Sequence, residues 1–286
     1  MSAPSLHSLA YAYPDARLRE GSIAKSSART LHYTLVVFVQ TVGDRPASRL
    51  TRRHIEKWRE ARKLSPESLR SQLSIIRTWC DWMIAKGYLR RNPTIGTARV
   101  PKPRRLPRGL QAQQVAAGLA ACPDARARLV LSLMAQEGLR CCEVAGLQLG
   151  DVDFGGRTIQ VVGKGSHERL LPLTTETLEM LDAYLEEHPG IGGPLVRSYS
   201  RPTRGLTAKY ISDLVSEWLH DGGVQASGHS LRHTAAGDVL RSGAHLRDVQ
   251  AMLGHSSLAT TQVYLPLLVG DLREAMDGRR YRGRAT

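Results

Sequence analysis

Apolar residues recur at helical spacing through most of the first ninety residues. The clearest case starts after Ser65, a favourable N-cap that is followed by Pro66, and ends before Gly87. One apolar stripe runs along this segment and comprises Leu69, Leu73, Ile76, Cys80 and Met83. The pattern predicts a small all-helical unit over residues 22–88, with about 20 residues ahead of its first helix.

A second helical segment in this unit, Thr51–Lys63, mixes apolar and basic positions. Ile55 and Trp58 fall on one face, which we expect to pack against the rest of the unit. The remaining face is basic and carries Arg52, Arg53, Lys57, Arg59, Arg62 and Lys63. Such a face is suited to contact phosphates.

Beyond residue 110 the pattern changes to mixed helix and strand. Residues 128–137 read as a buried helix, and Thr158–Val162 and Arg169–Leu173 read as two strands of a β-hairpin. The glycine-containing loop 163–168 joins them and presents Lys164 at its tip. Further helices are predicted at about Thr175–Glu187, Ala208–His220, His229–Arg241 and Leu246–Met252. The fold class is therefore mostly α with a small β-sheet.

A basic, proline-rich segment separates the two patterns. Residues 99–108, RVPKPRRLPR, contain three prolines and five basic residues and cannot continue a helix. We predict a helical domain over residues 1–98, a linker over residues 99–109 and a mixed α/β domain over residues 110–286. A stiff basic linker lets two domains close on opposite sides of a duplex; the alternative is an exposed hinge with incidental charge.

The charge of the chain is concentrated in its first part. The 286 residues carry a formal net charge of +14, yet residues 1–108 hold 22 Lys and Arg against 7 Asp and Glu, and the remainder holds 18 against 19. Such a distribution points to a polyanionic partner, either nucleic acid or an anionic membrane surface, although a solvated surface is the plainer alternative. The predicted DNA contacts are Arg52, Arg53, Lys57 and Arg59 on the helix, and Lys102, Arg104 and Arg105 in the linker.

Two further features bear on the class of protein. The N-terminal segment has no apolar signal region, and no apolar run approaches the length of a membrane span. Four cysteines in 286 residues do not form a disulfide framework. We therefore expect a cytoplasmic protein with reduced thiols and no membrane association.

The candidate chemistry lies in the last part of the chain. His229 and Arg232 are three residues apart, so on a helix they share a face and can address one phosphate. The pair alone is weak evidence, because a capping or core histidine is more common. The full candidate set is Arg140, Lys164, His229, Arg232, His255 and Tyr264. Cations and histidines around a tyrosine suit attack of its hydroxyl on a phosphodiester.

A metal does not fit this set. His229 and His233 have the spacing of half a zinc site, but no C-x-x-C partner accompanies them, and we predict neither metal nor cofactor.

The motifs resemble those of the tyrosine recombinases of the phage integrase and Xer type. They are GLRCCEV from residue 138, HSLR from residue 229, LGH from residue 253 and TTQVY from residue 260. The resemblance implies that Tyr264 forms a 3′-phosphotyrosyl bond and that Lys164 protonates the leaving 5′-oxygen. It implies that Arg140 and Arg232 bind the non-bridging oxygens, that His229 and His255 assist, and that Glu143 supports the site.

The same resemblance implies an architecture and an assembly. A helical core-binding domain and a catalytic domain would form a C-shaped clamp on double-stranded DNA core sites, with a dimer on each site and a homotetramer on two duplexes. Residues 269–276 would dock on a neighbouring subunit. Apart from the resemblance, we expect residues 278–286 to be disordered, and the alternative for this C-terminal segment is a frayed basic tail that lies on DNA. Accessory proteins are left open.

Several functions are compatible with such a chain. We expect a site-specific recombinase that passes through a Holliday junction and integrates or excises a phage or mobile element. The alternatives are a Xer-type resolvase of chromosome dimers, a type IB topoisomerase and a DNA-binding regulator without catalysis. Only about 20 residues precede the first predicted helix, too few for an additional arm-binding domain.

Overall fold

The computed structural model describes residues 4–98, 100, 109–163, 167–189, 192–255 and 261. The chain divides into two compact units, Met1–Arg104 and Arg105–Thr286, and each is described by itself. Arg99 and residues 101–108 of the predicted linker lie outside the described residues.

The first unit is helical. Its helices are α1 (Leu6–Arg19), α2 (Lys25–Val42), α3 (Arg52–Ala61) and α4 (Pro66–Ala85). The Ser65 hydroxyl accepts from the Ser68 N–H at 3.2 Å, and Ile76, Cys80 and Met83 are fully buried. The predicted helix and its buried face are therefore confirmed. On α3, Ile55 and Trp58 are fully buried as the pattern indicated.

The expectation that the first helix begins after about 20 residues was wrong. Helix α1 begins at Leu6, and the Ser5 side chain caps it by accepting from the Ser8 N–H at 3.2 Å. Pro14 lies inside this helix and hides it from pattern analysis, because proline removes a helical hydrogen bond. The buried side chains of α1 outweigh that loss, and they are Leu6, Leu9, Ala10, Tyr13 and Pro14.

The second unit combines helices with a small sheet. Its elements are α5 (Ala112–Ala121), α6 (Ala125–Ala135), α7 (Cys141–Gly146), β1 (Val152–Asp153), β2 (Thr158–Val162), β3 (Glu168–Pro172), α8 (Thr175–Glu187), α9 (Ala208–Asp221), α10 (Gly228–Arg241) and α11 (Leu246–Leu253). The three strands are antiparallel in the order β1-β2-β3, and Ile159 pairs with Leu171. The mostly helical class with a small sheet is confirmed.

Helix α6 is the buried helix that the sequence predicted, with different ends. It begins at Ala125 because the Asp124 carboxylate accepts from the Ala127 N–H at 2.7 Å. It stops at Ala135, two residues earlier than predicted, and Gly138 then adopts a φ of 68°. Strand β3 begins one residue earlier than predicted. These ends matter because α6 leads directly into the candidate site.

Within the part of the chain that the structure describes, no helix combines the length and apolar character of a membrane span.

Candidate active site

The carboxylate of Glu143 is the centre of the site. Glu143 lies in the first turn of α7 and accepts from the N–H of Arg140, the residue that precedes the helix, at 2.9 Å. The Arg140 Nη1 donates to Glu143 Oε1 at 2.6 Å. The Glu143 side chain is 2% exposed, whereas that of Arg140 is 35% exposed. Glu143 therefore fixes an arginine whose guanidinium still reaches solvent.

A second arginine that the sequence analysis did not predict completes the pairing of Glu143. Arg169 on β3 donates from Nη1 to Oε1 at 3.0 Å and from Nη2 to Oε2 at 2.9 Å. Its Nε also donates to the Met252 carbonyl at 2.8 Å. A signal was present, because strand alternation places Arg169 on the same face as the buried Leu171. A cation on a buried face requires a carboxylate partner.

The charge state of Glu143 follows from these contacts. Burial raises the pKa of its carboxyl group, but hydrogen bonds from Arg169 and the Arg140 N–H, together with both positive charges, hold the pKa below its ordinary value. The carboxylate is therefore ionised at neutral pH.

Arg232 on α10 joins two turns of the site. Its side chain is 3% exposed, and its Nη1 lies 3.7 Å from Glu143 Oε2. Nη1 donates to the Gly138 carbonyl at 2.5 Å, and Nη2 donates to the Leu253 carbonyl. The turn at Gly138 requires glycine, because its φ is positive and a Cβ would lie 3.2 Å from the Leu253 side chain. The predicted arginines thus lie around one carboxylate.

The two histidines at the start of α10 are in contact. The rings of His229 and His233 meet edge to face with centroids 4.4 Å apart. Partial burial and the charges of Arg232 and Arg140 lower the pKa of His229. Burial, His229 and Arg232 lower the pKa of His233 to about 4. His229 is thus placed to interact with the arginine cluster while remaining neutral.

His255 follows α11 after one residue, Gly254. Its N–H donates to the Gln250 carbonyl at 3.1 Å, and its Nδ1 lies 3.0 Å from the hydroxyl of the buried Thr261. Burial, followed by the charges of Arg232 and Arg140, lowers the pKa of His255 to about 4. A neutral imidazole at pH 7 is able to exchange a proton or to bind a phosphate oxygen.

The hairpin of Lys164 begins beside this cluster. The Gly163 N–H donates to the His167 carbonyl at 2.7 Å, which closes the hairpin. A Cβ on Gly163 would lie 3.7 Å from Glu143 Oε1. Lys164 and Tyr264 themselves lie outside the described residues. The base of the lysine loop therefore adjoins the carboxylate that binds the arginines.

The predicted DNA contacts of the first unit have different environments. Arg52, Arg53 and Lys57 are exposed, and Arg59 is half-buried. Arg52 forms an ion pair with Glu56 at 2.7 Å between Nε and Oε1. Lys102, Arg104 and Arg105 lie outside the described residues.

The described site is cationic and holds a single carboxylate at its centre. Across the described ranges, no group of three or more His, Cys, Asp or Glu is placed to hold a metal ion. Guanidinium and imidazole groups around one buried carboxylate are chemically suited to bind an anionic phosphate and stabilise charge on its oxygens.

Comparison with known proteins identifies the class. Residues 108–269 match the Phage integrase family. The tyrosine recombinase XerC of Actinobacillus pleuropneumoniae serotype 7 (strain AP76) is 31% identical over 237 residues, which cover 77% of this chain and 74% of that protein. Tyrosine recombinase XerC 2 of Ralstonia nicotianae is 34% identical over 231 residues, covering 74% of this chain and 66% of that protein.

Solved structures share the fold. Lambda integrase (residues 75–356) bound to DNA has a TM-score of 0.75 at 18% identity, covering 93% of this chain and 97% of that one. A lambda integrase tetramer bound to a Holliday junction has a TM-score of 0.74 at 19% identity, covering 89% and 78%. The solved structures show the fold, whereas the family match and the XerC relatives show the family. The chain therefore belongs to the phage integrase family and is a tyrosine recombinase, an enzyme of site-specific DNA recombination.

Proposed function

We propose that this recombinase cleaves and rejoins DNA through a covalent bond between Tyr264 and a 3′-phosphate. The observation that carries the proposal is the cluster of Arg140, Arg169 and Arg232 around Glu143, next to the base of the hairpin that bears Lys164. Guanidinium groups held in advance of substrate binding stabilise the developing charge of the phosphoryl transition state.

The roles of the side chains follow from their exposure and charge. The partly exposed Arg140 binds the non-bridging oxygens, and Arg232 supports that contact from its buried position. Lys164 donates the proton that the leaving 5′-oxygen requires. Neutral His229 and His255 accept or share protons at the phosphate. ATP does not enter these steps, because the phosphotyrosyl bond preserves the energy needed for religation. A metal is not needed either, because the arginines and Lys164 fill the electrostatic role that a metal has elsewhere.

The first unit and the linker supply most of the positive charge for DNA binding. Residues 1–108 contain 22 Lys and Arg against 7 Asp and Glu, and Arg52, Arg53 and Lys57 are exposed on α3. The enzyme acts on double-stranded core sites in the cytoplasm or nucleoid. It assembles as a dimer on each site and as a tetramer on two duplexes, and residues 269–276 dock on a neighbouring subunit.

Integration or excision of a phage or mobile element, through a Holliday junction, is the proposed biological role. A Xer-type resolvase is the second candidate, and one observation favours it: the XerC relatives are 31–34% identical over 77% and 74% of this chain. The two roles differ in their DNA sites. Adduct formation on sites flanking a mobile element supports the first role, and adduct formation on a chromosomal dimer-resolution site supports the second.

The decisive experiment uses nicked suicide duplexes that carry candidate sites from the native genomic neighbourhood. The wild type should form a denaturant-resistant adduct at one site, whereas Tyr264→Phe should bind the same DNA and form none. An adduct with Tyr264→Phe would disprove the assignment of the nucleophile. Tight DNA binding without any wild-type adduct would favour a DNA-binding regulator. Relaxation of supercoiled plasmid by the monomer, without strand exchange, would favour a topoisomerase.

A further inference from the structure

Glu137 is a second buried carboxyl group near the site, and the roles assigned above do not use it. It lies in the short connection between α6 and Arg140 and is 3% exposed. Its neighbour Gly138 provides the carbonyl that binds Arg232. Burying a carboxyl group is costly unless its oxygens are hydrogen-bonded, so its partners indicate its role.

Its partners from other parts of the chain come from the start of α8. The Thr174 N–H donates to Glu137 Oε1 at 3.0 Å, and the Thr177 hydroxyl donates to Oε2 at 3.1 Å. The Thr174 hydroxyl lies 3.3 Å from Oε1. Thr174 is the N-cap of α8, so the carboxyl group occupies the end of the helix that favours negative charge. Glu137 thereby attaches the connection before Arg140 to the N-terminus of α8.

One peptide unit connects this attachment to Arg232. Glu137 binds α8, and the next residue, Gly138, binds Arg232. Gly138 is closely surrounded, because a Cβ there would lie 3.2–3.4 Å from the side chains of Leu253, Ala235 and Met252. A shift at Glu137 therefore moves the Gly138 carbonyl relative to Arg232 rather than being absorbed in the connection.

We infer that Glu137 is a positioning residue for strand cleavage, whose ionised carboxylate holds the Gly138 carbonyl in place for Arg232 through its bonds to Thr174 and Thr177. An ionised carboxylate accepts every one of these bonds. A protonated carboxyl group turns one oxygen into a donor and opposes a donor that is already present. The effect on catalysis rests on the proposed function, whereas the attachment to α8 does not.

The groups around Glu137 allow its ionisation to change near neutral pH. Burial raises its pKa to about 7, although hydrogen bonds from Thr174 and Thr177 oppose the rise. The charged side chains at the edge of this contact are exposed: Glu176 on α8 accepts from Gln136 at 2.6 Å, and Arg157 donates to Thr175 at 2.8 Å. Arg232 on α10 contacts the adjoining carbonyl instead.

The test compares Glu137→Gln with the wild type on a suicide duplex from about pH 5.5 to about pH 8.5. The wild-type rate of adduct formation should fall as the pH drops below about 7. Glu137→Gln should lose this dependence and react about tenfold more slowly at the upper end, with unchanged DNA affinity. Glu176→Gln, which removes the exposed carboxylate of the same region, should behave as the wild type.

A second variant keeps the inference testable if Glu137→Gln does not fold. Thr177→Val removes one donor to Glu137 and should move the acidic limb of the rate profile to higher pH. An unchanged acidic limb in either folded variant overturns the inference. Titration of His233 and His255 does not produce the fall in rate below about pH 7, because their pKa values are lowered to about 4.

Urea unfolding distinguishes failure of the inference from failure of the proposed function. At Glu137 the folded wild type binds an extra proton between the unfolded pKa of 4.5 and the folded pKa of about 7, so the contribution of this group to stability should fall as pH rises through this window. Glu137→Gln should lack that fall. A wild type that forms no adduct at any pH overturns strand cleavage, and equal pH dependence of unfolding in both proteins overturns the carboxylate attachment itself.

Discussion

Arg169 and Glu143 form a bidentate ion pair that is almost completely buried. The two guanidinium nitrogens lie 3.0 and 2.9 Å from the two carboxylate oxygens, and the side chains are 11% and 2% exposed. A buried carboxylate with this partner keeps its charge, and that charge orients Arg140. Arg169 thus acts on the phosphate-binding arginine through Glu143.

Replacement of Arg169 should therefore damage both stability and activity. Arg169→Gln should lower the free energy of unfolding by about 3–5 kcal/mol, because it leaves the Glu143 charge underpaired in a buried site. Urea denaturation measures this loss. The matched control is Arg241→Gln in the exposed pair with Asp238, which should cost about 1 kcal/mol or less. Equal losses in the two variants would show that Arg169 has no special role.

Lys164 should be dispensable when the leaving group needs no proton. Lys164→Ala should lose cleavage of an ordinary duplex by about 100-fold or more, which is the usual contribution of a general acid. On a duplex with a 5′-phosphorothiolate leaving group, the variant should recover most of that rate. Single-turnover adduct formation on the two substrates measures the difference. If sulfur gives no recovery, the general acid is a different residue.

DNA affinity should fall steeply with salt, and the first unit should account for most of the fall. Arg53→Gln and Lys57→Gln on the exposed face of α3 should each reduce the slope of log affinity against log salt by about 1 if the side chain binds a phosphate. Deletion of residues 1–108 should flatten the slope further. Fluorescence anisotropy at several salt concentrations provides the slopes. A slope that does not change after the deletion contradicts the proposal that residues 1–108 supply most of the positive charge for DNA binding.

The contribution of His255 to stability should decrease as pH falls below the ordinary pKa of histidine. The folded pKa of His255 is about 4 and its unfolded value is 6.5, so the unfolded chain binds the extra proton between these values. The stability that the neutral ring contributes is present above pH 6.5 and is lost as pH falls toward 4. His255→Gln should lose less stability than the wild type between about pH 7 and about pH 5. A parallel decline in both proteins would contradict the lowered pKa.

Sequence patterns predicted the elements whose signals are local. Helix α8 has the predicted bounds, Thr175–Glu187, because Thr174 caps it through a bond from the Thr177 N–H. Strand β2 also has its predicted bounds, Thr158–Val162. The motifs and the family resemblance that they carry pointed to Arg140, Arg232 and Glu143, which the fold brings together. In these cases the signal is a cap, an alternating run or a motif, and each of these occupies a few consecutive residues.

Other features depend on contacts between distant parts of the chain. Helix α5 (Ala112–Ala121) was not predicted, because its small residues show little contrast between faces. A close approach to α9 explains that composition, since a Cβ on Gly118 would lie 2.8 Å from the Leu219 side chain. The pairing of Arg169 was missed for the same reason: strand alternation indicated a cation on a buried face, but its partner Glu143 is 26 residues away in sequence. Pattern analysis has no access to such partners.

The bonds of Arg232 to the Gly138 and Leu253 carbonyls limit how this chain is able to change length during evolution. One residue inserted into α11 would rotate the following chain by about 100° and advance it by about 1.5 Å, which would carry the Leu253 carbonyl away from the guanidinium. Substitutions that preserve the packing leave that bond intact, whereas insertions and deletions do not. Length variation should therefore collect in exposed turns such as residues 154–157 and be rare between Arg232 and His255.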